Sequence, residues 1–587
     1  MVARTRGNIL ISEGMVELKK KNRMNLKKYF LMGGVVLSLG LTSCVGDLDL
    51  KPNDPNIVDK NNPNYITNSL GMCYSGIAVS GISGPGSSYV SDIDPGTSAY
   101  LRVLFTLNEF CTDECIWIWS DAGVPDITAC TWSSNNGLIN GAYFRFMGHV
   151  SICNEFLSNT ANNADPEVQE MRAEARVLRA YSYYNMMDLF GQSSFITEEA
   201  GIGEAPTQIS RADLFAWLET ELKDVVDNNL ISKTPVYGRV GLDGAEALLA
   251  RLYLNAEVFT GTGRWADCQK RCENIIERHK GGGFNGSGLA KHYLYLFQRD
   301  NDAYMPGGAK SDENEILFGI AFDDVNTQSY GGPSFVISST ISNTHYMPRD
   351  FYGCSAEWSC LRGRKEMAAK FDGYSSDVRD DLWMKGTFSG GEENGVKWDS
   401  EDYSDTFKGF TGDWKTTGGN AIVKFTGRTR NAAEDGGWDM SINPDGTYKY
   451  GFPATPFAGT DQPIIRLADV YMMYTECYVH GNVGAQNKAL QYMNYVRERA
   501  GAGPADASSL TKEEIMNERS REFYLEMTRR SDLIRNGMFA GPAQITWQYK
   551  GNIDNNEGTR IADHRVLYPI PDAVRSAQPD FKQNPGY

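Results

Sequence analysis

The sequence predicts a mostly α protein, built of paired helices of tetratricopeptide type with a large loop-rich region laid over them. Three observations predict it. Capping boxes open runs whose apolar residues recur at helical spacing. Two such runs stand side by side near the C-terminus, separated only by glycines. Between about 281 and 460 the periodicity gives way to Gly, Asn, Asp, Ser and aromatics. No clean 34-residue signature recurs, so any repeat is degenerate.

Taken in order, the spacing predicts a helix over 168–190, with Val177, Tyr181, Tyr184 and Met187 in line. Ser210-x-x-Asp213 opens a second, carrying Leu214, Trp217, Leu218, Leu222 and Val225. Asp243-x-x-Glu246 caps a third, with Leu248, Leu249, Leu252 and Phe259 on one face and Gly261 as its stop. Residues 464–480 and 484–500 form a pair across Gly481 and Gly484. Thr511-x-x-Glu514 opens a long helix reaching about Arg530. Gly281–Gly283, Gly331-Gly332, Gly390-Gly391 and Gly418-Gly419 punctuate the loop-rich stretch. Long loops on a rigid helical body are where binding sites are usually built.

The N-terminal segment reads as an export signal. Lys27 and Lys28 precede the apolar run Tyr29 to Leu41, which ends in Leu41-Thr42-Ser43-Cys44. The run is shorter than the about 20 residues a transmembrane helix needs. Cysteine after small residues resembles a bacterial lipobox, so Cys44 is expected to carry the lipid. The alternative is an ordinary signal peptide with an incidental cysteine. The 23 residues before Met24 fit no normal signal, and Met24 or Met15 is the expected start. Asp47, Asp49 and the Pro/Asn-rich Lys51–Asn56 then read as an extended, solvated tether.

The chain has 57 Lys+Arg against 74 Asp+Glu, a formal charge of −17. Residues 1–43 hold eight Lys/Arg and two Asp/Glu, which leaves −23 on the remainder. Such a surface repels phosphate backbones and excludes nucleic acid as a partner. The ten cysteines beyond Cys44 are sparse, and none sits in a CxxC or beside histidine at ligand spacing. No metal is expected; the thiols read as small core side chains, with one or two disulfides as the alternative. Gly-x-Ser-x-Gly, P-loop and His-Glu-x-x-His motifs are absent, and the six histidines are scattered. No cofactor and no catalytic residue is expected.

Glu518, Glu522 and Glu526 lie four apart on one helix face. Paired carboxylates can hydrolyse glycosides, but like charges at this spacing repel and need cations. Arg519, Arg521, Arg529 and Arg530 supply them, so a structural ion-pair network is the preferred reading. Arg466 with Glu476, and Glu174 with Arg176 and Arg179, are read the same way.

Binding has better candidates. Trp117 and Trp119 flank Ile118 and are followed by Asp121 and Asp126, then by Trp132, Asn135 and Asn136. An aromatic face packs on the apolar C–H face of a pyranose, while carboxylates and amides hold its hydroxyls. Alternation turns both tryptophans to the side of Cys115, so core packing competes with ligand contact. Tyr352-Gly353, Trp358 and Arg362 form a second candidate group. Calcium at Asn443-Pro444-Asp445-Gly446 is a weaker reading than a turn.

Several blocks in order resemble the SusD/RagB family of outer-membrane nutrient-binding lipoproteins. They include Leu107-Asn108-Glu109 with Thr112-Asp113-Glu114, and Ala173-Glu174-Ala175-Arg176-Val177-Leu178-Arg179-Ala180. Asp188-Leu189-Phe190-Gly191, Tyr237-Gly238-Arg239 and Ala247–Leu254 follow. The C-terminal half adds Ile465–Tyr471, Glu518-Arg519 with Arg521-Glu522-Phe523, Tyr568-Pro569-Ile570-Pro571 and Asn584-Pro585-Gly586-Tyr587. The resemblance implies a SusD-like helical fold and a surface-exposed outer-membrane location, with the protein held by lipid. It implies a SusC-like TonB-dependent transporter as partner and an oligosaccharide as ligand, with ligand contacts near Trp117–Asn136 and Trp358. The expected organisation is a signal over 1–43, a lipidated tether over 44–60, an N-terminal helical region over 61–280, and a C-terminal region over 281–587. The last is loop-rich over 281–460 and helical over 461–540. A surface glycoside hydrolase, a binder of peptides or other nutrients, and a protein-only adaptor remain as alternatives.

Overall fold

The computed structural model describes residues 62–340, 353–380, 421–429, 455–547 and 559–587, apart from 92, 202, 357 and 359, with short strands at 383–384, 387–389 and 397–399. Cys44, Asp47, Asp49, Tyr352 and Asn443–Gly446 lie outside the described residues. Residues 60–587 cluster as one compact unit.

The helices are α1 (Pro63–Ala78), α2 (Tyr100–Glu109), α3 (Val124–Ala129), α4 (Gly137–Asn159), α5 (Pro166–Phe190), α6 (Arg211–Asp227), α7 (Leu242–Leu254), α8 (Ala256–Thr260), α9 (Trp265–His279) and α10 (Gly332–Thr340). They continue with α11 (Leu467–Gly481), α12 (Gln486–Arg499), α13 (Lys512–Phe523) and α14 (Arg529–Arg535), with short helices also at Lys365–Ala368 and Asp572–Ala577. Helices α4, α5, α6, α7, α9, α11 and α12 pack each on the next in a row. This is the expected helical-repeat body. Helices α1 and α2 lie against α4, and α13 against α11.

Local chemistry sets the helix starts. Asn62 caps α1 and Asp165 caps α5, each followed by proline at the first helical position. Ser210 accepts from the Asp213 amide, as its capping box predicts. Two expectations need correction. Asp243 is not a cap: the cap position of α7 is Gly241, and the Asp243 carboxylate is held by Arg278 and His279. The helix from Thr511 does not run to Arg530. It ends at Phe523, and Leu525 and Met527 take positive φ of 59° and 63° before α14 begins. The break has a physical cause. It frees the carbonyls of Glu522 and Tyr524 to accept from Lys424 Nζ at 3.1 and 2.7 Å. It also points the Leu525 and Met527 amides at Glu114 and Glu109.

The acidic face of α13 is the centre of a buried ion network. Glu518 meets Arg379, Arg497 and Arg521 at 2.7–2.8 Å. Glu522 meets Arg379, Arg466 and Arg499 at 2.6–3.0 Å. Glu526 meets Arg466 at 2.7 Å and Lys424 at 2.6 Å. Burial alone would raise the Glu518 carboxyl, but Arg379, Arg521 and Arg497 hold it well below the usual range. Burial brings Lys424 down to about 8. The other expected pairs exist as networks with different partners. Arg466 also takes Glu315, Glu476 takes Arg535, Glu174 takes Arg239, and Arg176 and Arg179 share Glu221. Glu174 and Arg176 are two apart on a helix and face different sides.

The ten cysteines beyond Cys44 are all buried free thiols. No helix among the described residues is long and apolar enough to cross a membrane.

Candidate ligand-binding site

Two short strands join the two stretches singled out in the sequence. Strand β1 (Cys115–Trp117) pairs antiparallel with β2 (Leu361–Gly363), Ile116 opposite Arg362 and Trp117 opposite Leu361. The Ile118 amide continues the ladder to the Cys360 carbonyl at 2.9 Å. Trp358 is held close by, its amide donating to Ser338 at the end of α10 at 2.8 Å. Residues some 240 positions apart therefore meet at one place.

The meeting point is an arc of rings. Trp117 stacks on Phe335 with centroids 5.5 Å apart and planes 18° apart, and Trp119 stands edge-on to Trp117 at 6.0 Å. Trp358 lies 6.2 Å from Phe335 and 6.3 Å from Tyr330, which continues to Phe457 at 5.6 Å. Trp119, Trp358 and Tyr330 are half-buried, whereas Trp117 and Phe335 are each 1% exposed. Trp119, Trp358 and Tyr330 thus keep part of each ring open to solvent, while Trp117 packs within the core.

Arg102 of α2 lies across this arc. Its guanidinium carbon is 4.7 Å from the Phe335 ring and 5.6 Å from Trp358. It spends one contact on the Gly96 carbonyl at 3.4 Å, and its other donors have no partner among the described residues. Burial pulls its pKa below the ordinary arginine value, yet a guanidinium remains charged. A pocket of about 240 Å³ opens beside it, bordered by Asp94, Thr97 and Asp121. The Thr97 amide and hydroxyl bind one oxygen of Asp94 at 2.6 and 2.9 Å, and the amide holds that carboxyl below its usual range. The Asp121 carboxylate has no hydrogen-bond partner among the described residues. Unspent donors and acceptors thus converge beside exposed aromatic faces.

The remaining candidates sit elsewhere or are already committed. Trp132 is 1% exposed, donates to the Tyr587 hydroxyl at 2.7 Å and packs between Tyr568 and Arg565. Asn136 caps α4 through the Leu138 and Ile139 amides and donates to the Gly123 carbonyl. Arg362 is buried within β2 and donates to the Leu361 carbonyl. All three make contacts within the protein and are not among the residues lining the pocket. Asp126, in the first turn of α3, and Asn135, in the turn before α4, are exposed and outside the pocket lining. A larger cleft of about 670 Å³ lies between the start of α7 and Gly307, but it has no aromatic wall, and its Asp243 is spent on Arg278 and His279.

Arg102, Asp94, Tyr330, Phe335 and Phe457 are absent from the sequence candidates. One signal pointed to Arg102: it is the lone cation in the otherwise apolar Tyr100–Leu107 run. The rings gave none, since aromatics are frequent throughout.

Comparison with known proteins fits this architecture. The sequence model of the SusD family matches residues 260–587. The chain is 30% identical over 580 residues to the starch-binding protein SusD of Bacteroides thetaiotaomicron, covering 94% of this chain and 97% of that protein. It is 24% identical to a SusD-like protein of Bacteroides ovatus over 68% of this chain and 65% of that one. A solved SusD superfamily protein of Parabacteroides distasonis superposes with a TM-score of 0.64 at 18% identity, covering 90% of this chain and all of that one. The surface glycan-binding protein A of Bacteroides thetaiotaomicron, solved with laminarihexaose, gives 0.61 at 17% identity over 89% and 99%. The breadth of the 30% match and the shared helical-repeat fold make the conclusion plain: the chain belongs to the SusD family.

Proposed function

We propose that this protein captures oligosaccharides at the cell surface and does not cleave them. The carrying observation is the juxtaposition of half-buried Trp119, Trp358 and Tyr330 with unspent hydrogen-bonding groups on Arg102 and Asp121. Flat aromatic faces suit pyranose C–H surfaces, and a bidentate guanidinium with free carboxylate oxygens suits hydroxyl pairs. The starch-binding and laminarihexaose-bound relatives support a glycan over a peptide. The carboxylates that would tempt a hydrolase assignment, Glu518, Glu522 and Glu526, are buried and engaged by arginines and, at Glu526, by Lys424 as well. Lipidation of Cys44 would hold the protein on the outer membrane, where it would hand its ligand to a SusC-like TonB-dependent transporter.

The test is titration of the purified chain with maltoheptaose, laminarihexaose and a panel of plant and host oligosaccharides, with product analysis of each mixture. Saturable binding without cleavage is expected. Cleavage products, or binding of peptides alone, would sink the proposal. Trp358→Ala should weaken glycan binding by about 1 kcal/mol, roughly fivefold, with the folded state intact. Co-purification with a barrel transporter tests the hand-over.

A further inference from the structure

Helices α1 and α4 bring two thiols together. The helices run antiparallel: Tyr65, early in α1, meets the Asn159 amide at the end of α4 at 3.3 Å. Further along α1, Gly76 faces His149, and a Cβ added there would stand 2.9 Å from the imidazole. From Tyr65 to Gly76 the chain climbs α1 while its neighbour falls from Asn159 to His149, nearly residue for residue. On that register Cys73 comes opposite Cys153. The imidazole ties the two positions. Its Nε2–H donates to the Cys73 carbonyl at 2.7 Å and lies 3.7 Å from Cys153 Sγ. Both cysteines are 0% exposed. The hydrogen bond to Cys153 and burial push the Cys73 thiol up. Burial would also raise Cys153, but the bond from Cys73 and the charge of His149 bring it below its ordinary value. The two sulfurs are therefore neighbours, and one of them is biased towards the thiolate that attacks disulfides. Cys268, Cys272 and Cys477 also meet, but three thiols compete there and no pair is singled out.

We infer that Cys73 and Cys153 close into a disulfide that staples α1 to α4 once the chain meets an oxidising compartment. This rests on the export reading of the segment before Cys44. The step is exchange with an external disulfide, of glutathione or of an oxidising protein. Cys153, as thiolate, attacks one sulfur of that disulfide and releases the other as a thiol. Cys73 then attacks the Cys153 sulfur, forms the bridge and releases the second thiol. Two electrons pass to the external disulfide, and the two protons lost by the cysteines end on the released thiols. Because both sulfurs are buried in the folded chain, the exchange belongs to folding, before α1 has docked. The bridge joins residues about 80 apart in sequence, so it removes much of the freedom of the unfolded chain. Its place suits an anchored protein. Helix α1 is the first described helix after Cys44, so a pull on a lipidated Cys44 would load α1 before the rest of the body.

The experiment unfolds and reduces the whole chain, refolds it in a glutathione redox buffer, traps it with iodoacetamide and maps its peptides without reduction. The peptides holding Cys73 and Cys153 should appear joined, lighter by two hydrogens than the free pair, and more often than any other pairing of either cysteine. In denaturant that preference should vanish. Adding dithiothreitol to the refolded chain should lower its Tm. Cys73→Ala and Cys153→Ala should each remove the joined peptide and shrink the effect of dithiothreitol on Tm. Recovery of both cysteines alkylated at every glutathione ratio would overturn the bridge. So would pairing with other cysteines as often as with each other. If neither variant folds, the peptide map of the unchanged chain still decides.

Discussion

Two regions of this molecule use the same residue types in opposite ways. Around α13, arginines and glutamates are buried together, and each carboxylate is answered by two or three cations. Around Arg102, one guanidinium and two carboxylates stand at the edge of an aromatic arc with most of their hydrogen-bonding capacity unspent. The first arrangement is closed and can only be a scaffold. The second is open to solvent, which supports the proposal that a ligand engages it. The difference teaches that a cluster of charges is read by its unmade bonds, since buried polar groups in a scaffold are nearly always satisfied.

The comparison breaks most visibly at the scaffold. Arg466→Met would leave Glu315, Glu522 and Glu526 short of a cation in the interior. A loss of about 3–5 kcal/mol is expected in denaturant unfolding, because breaking one side of a buried network strands the other. Glycan affinity of the folded fraction should not move; a binding loss without a stability loss would reverse the assignment of the two regions.

The next effect is a pH dependence. Burial would raise Asp469, but Arg251 and Arg519 outweigh it and hold the carboxyl at about 2, against 3.8 ordinarily. Its contribution is therefore full above about pH 4 and is lost as the pH falls towards 2. The shift corresponds to about 2 kcal/mol. Unfolding measured from pH 5 to pH 2 should steepen in this window, and Asp469→Asn should flatten the curve while lowering stability at neutral pH. An unchanged slope would remove Asp469 from the network's acid sensitivity.

At the open region the expectation is reversed. Asp121→Asn should weaken glycan binding by about tenfold, near 1.4 kcal/mol, because a charged acceptor is lost. It should leave the melting temperature unchanged, since no partner inside the protein loses a bond. Smallest of all, Trp132→Phe removes the hydrogen bond to Tyr587 and should cost about 1 kcal/mol of stability with no change in glycan affinity. A clear binding loss there would return Trp132 to the site.

The helical body was largely legible in the sequence. Helix α5, the capped start of α6 and the α11–α12 pair follow from local periodicity and capping, which depend on neighbours a few residues apart. The failures arose where distant residues intervene. The helix after Thr511 stops at Phe523 because Lys424, Glu109 and Glu114 claim its backbone groups. Asp243 leaves its capping role because Arg278 and His279 reach it from α9.

The candidate site was half legible. The sequence by itself determined that two tryptophan-bearing stretches, near 117–136 and near 358, carry aromatics of the kind that bind sugars. It determined too that Glu518, Glu522 and Glu526 would need arginines. Only the tertiary structure decided that β1 pairs with β2 and so brings the two stretches together. Only it decided that Trp117 and Trp132 turn inward while Trp119 and Trp358 keep a face to solvent. The reason is physical. Periodicity tells which residues share a face of one element, but exposure depends on what packs against that face, and that partner lies far along the chain.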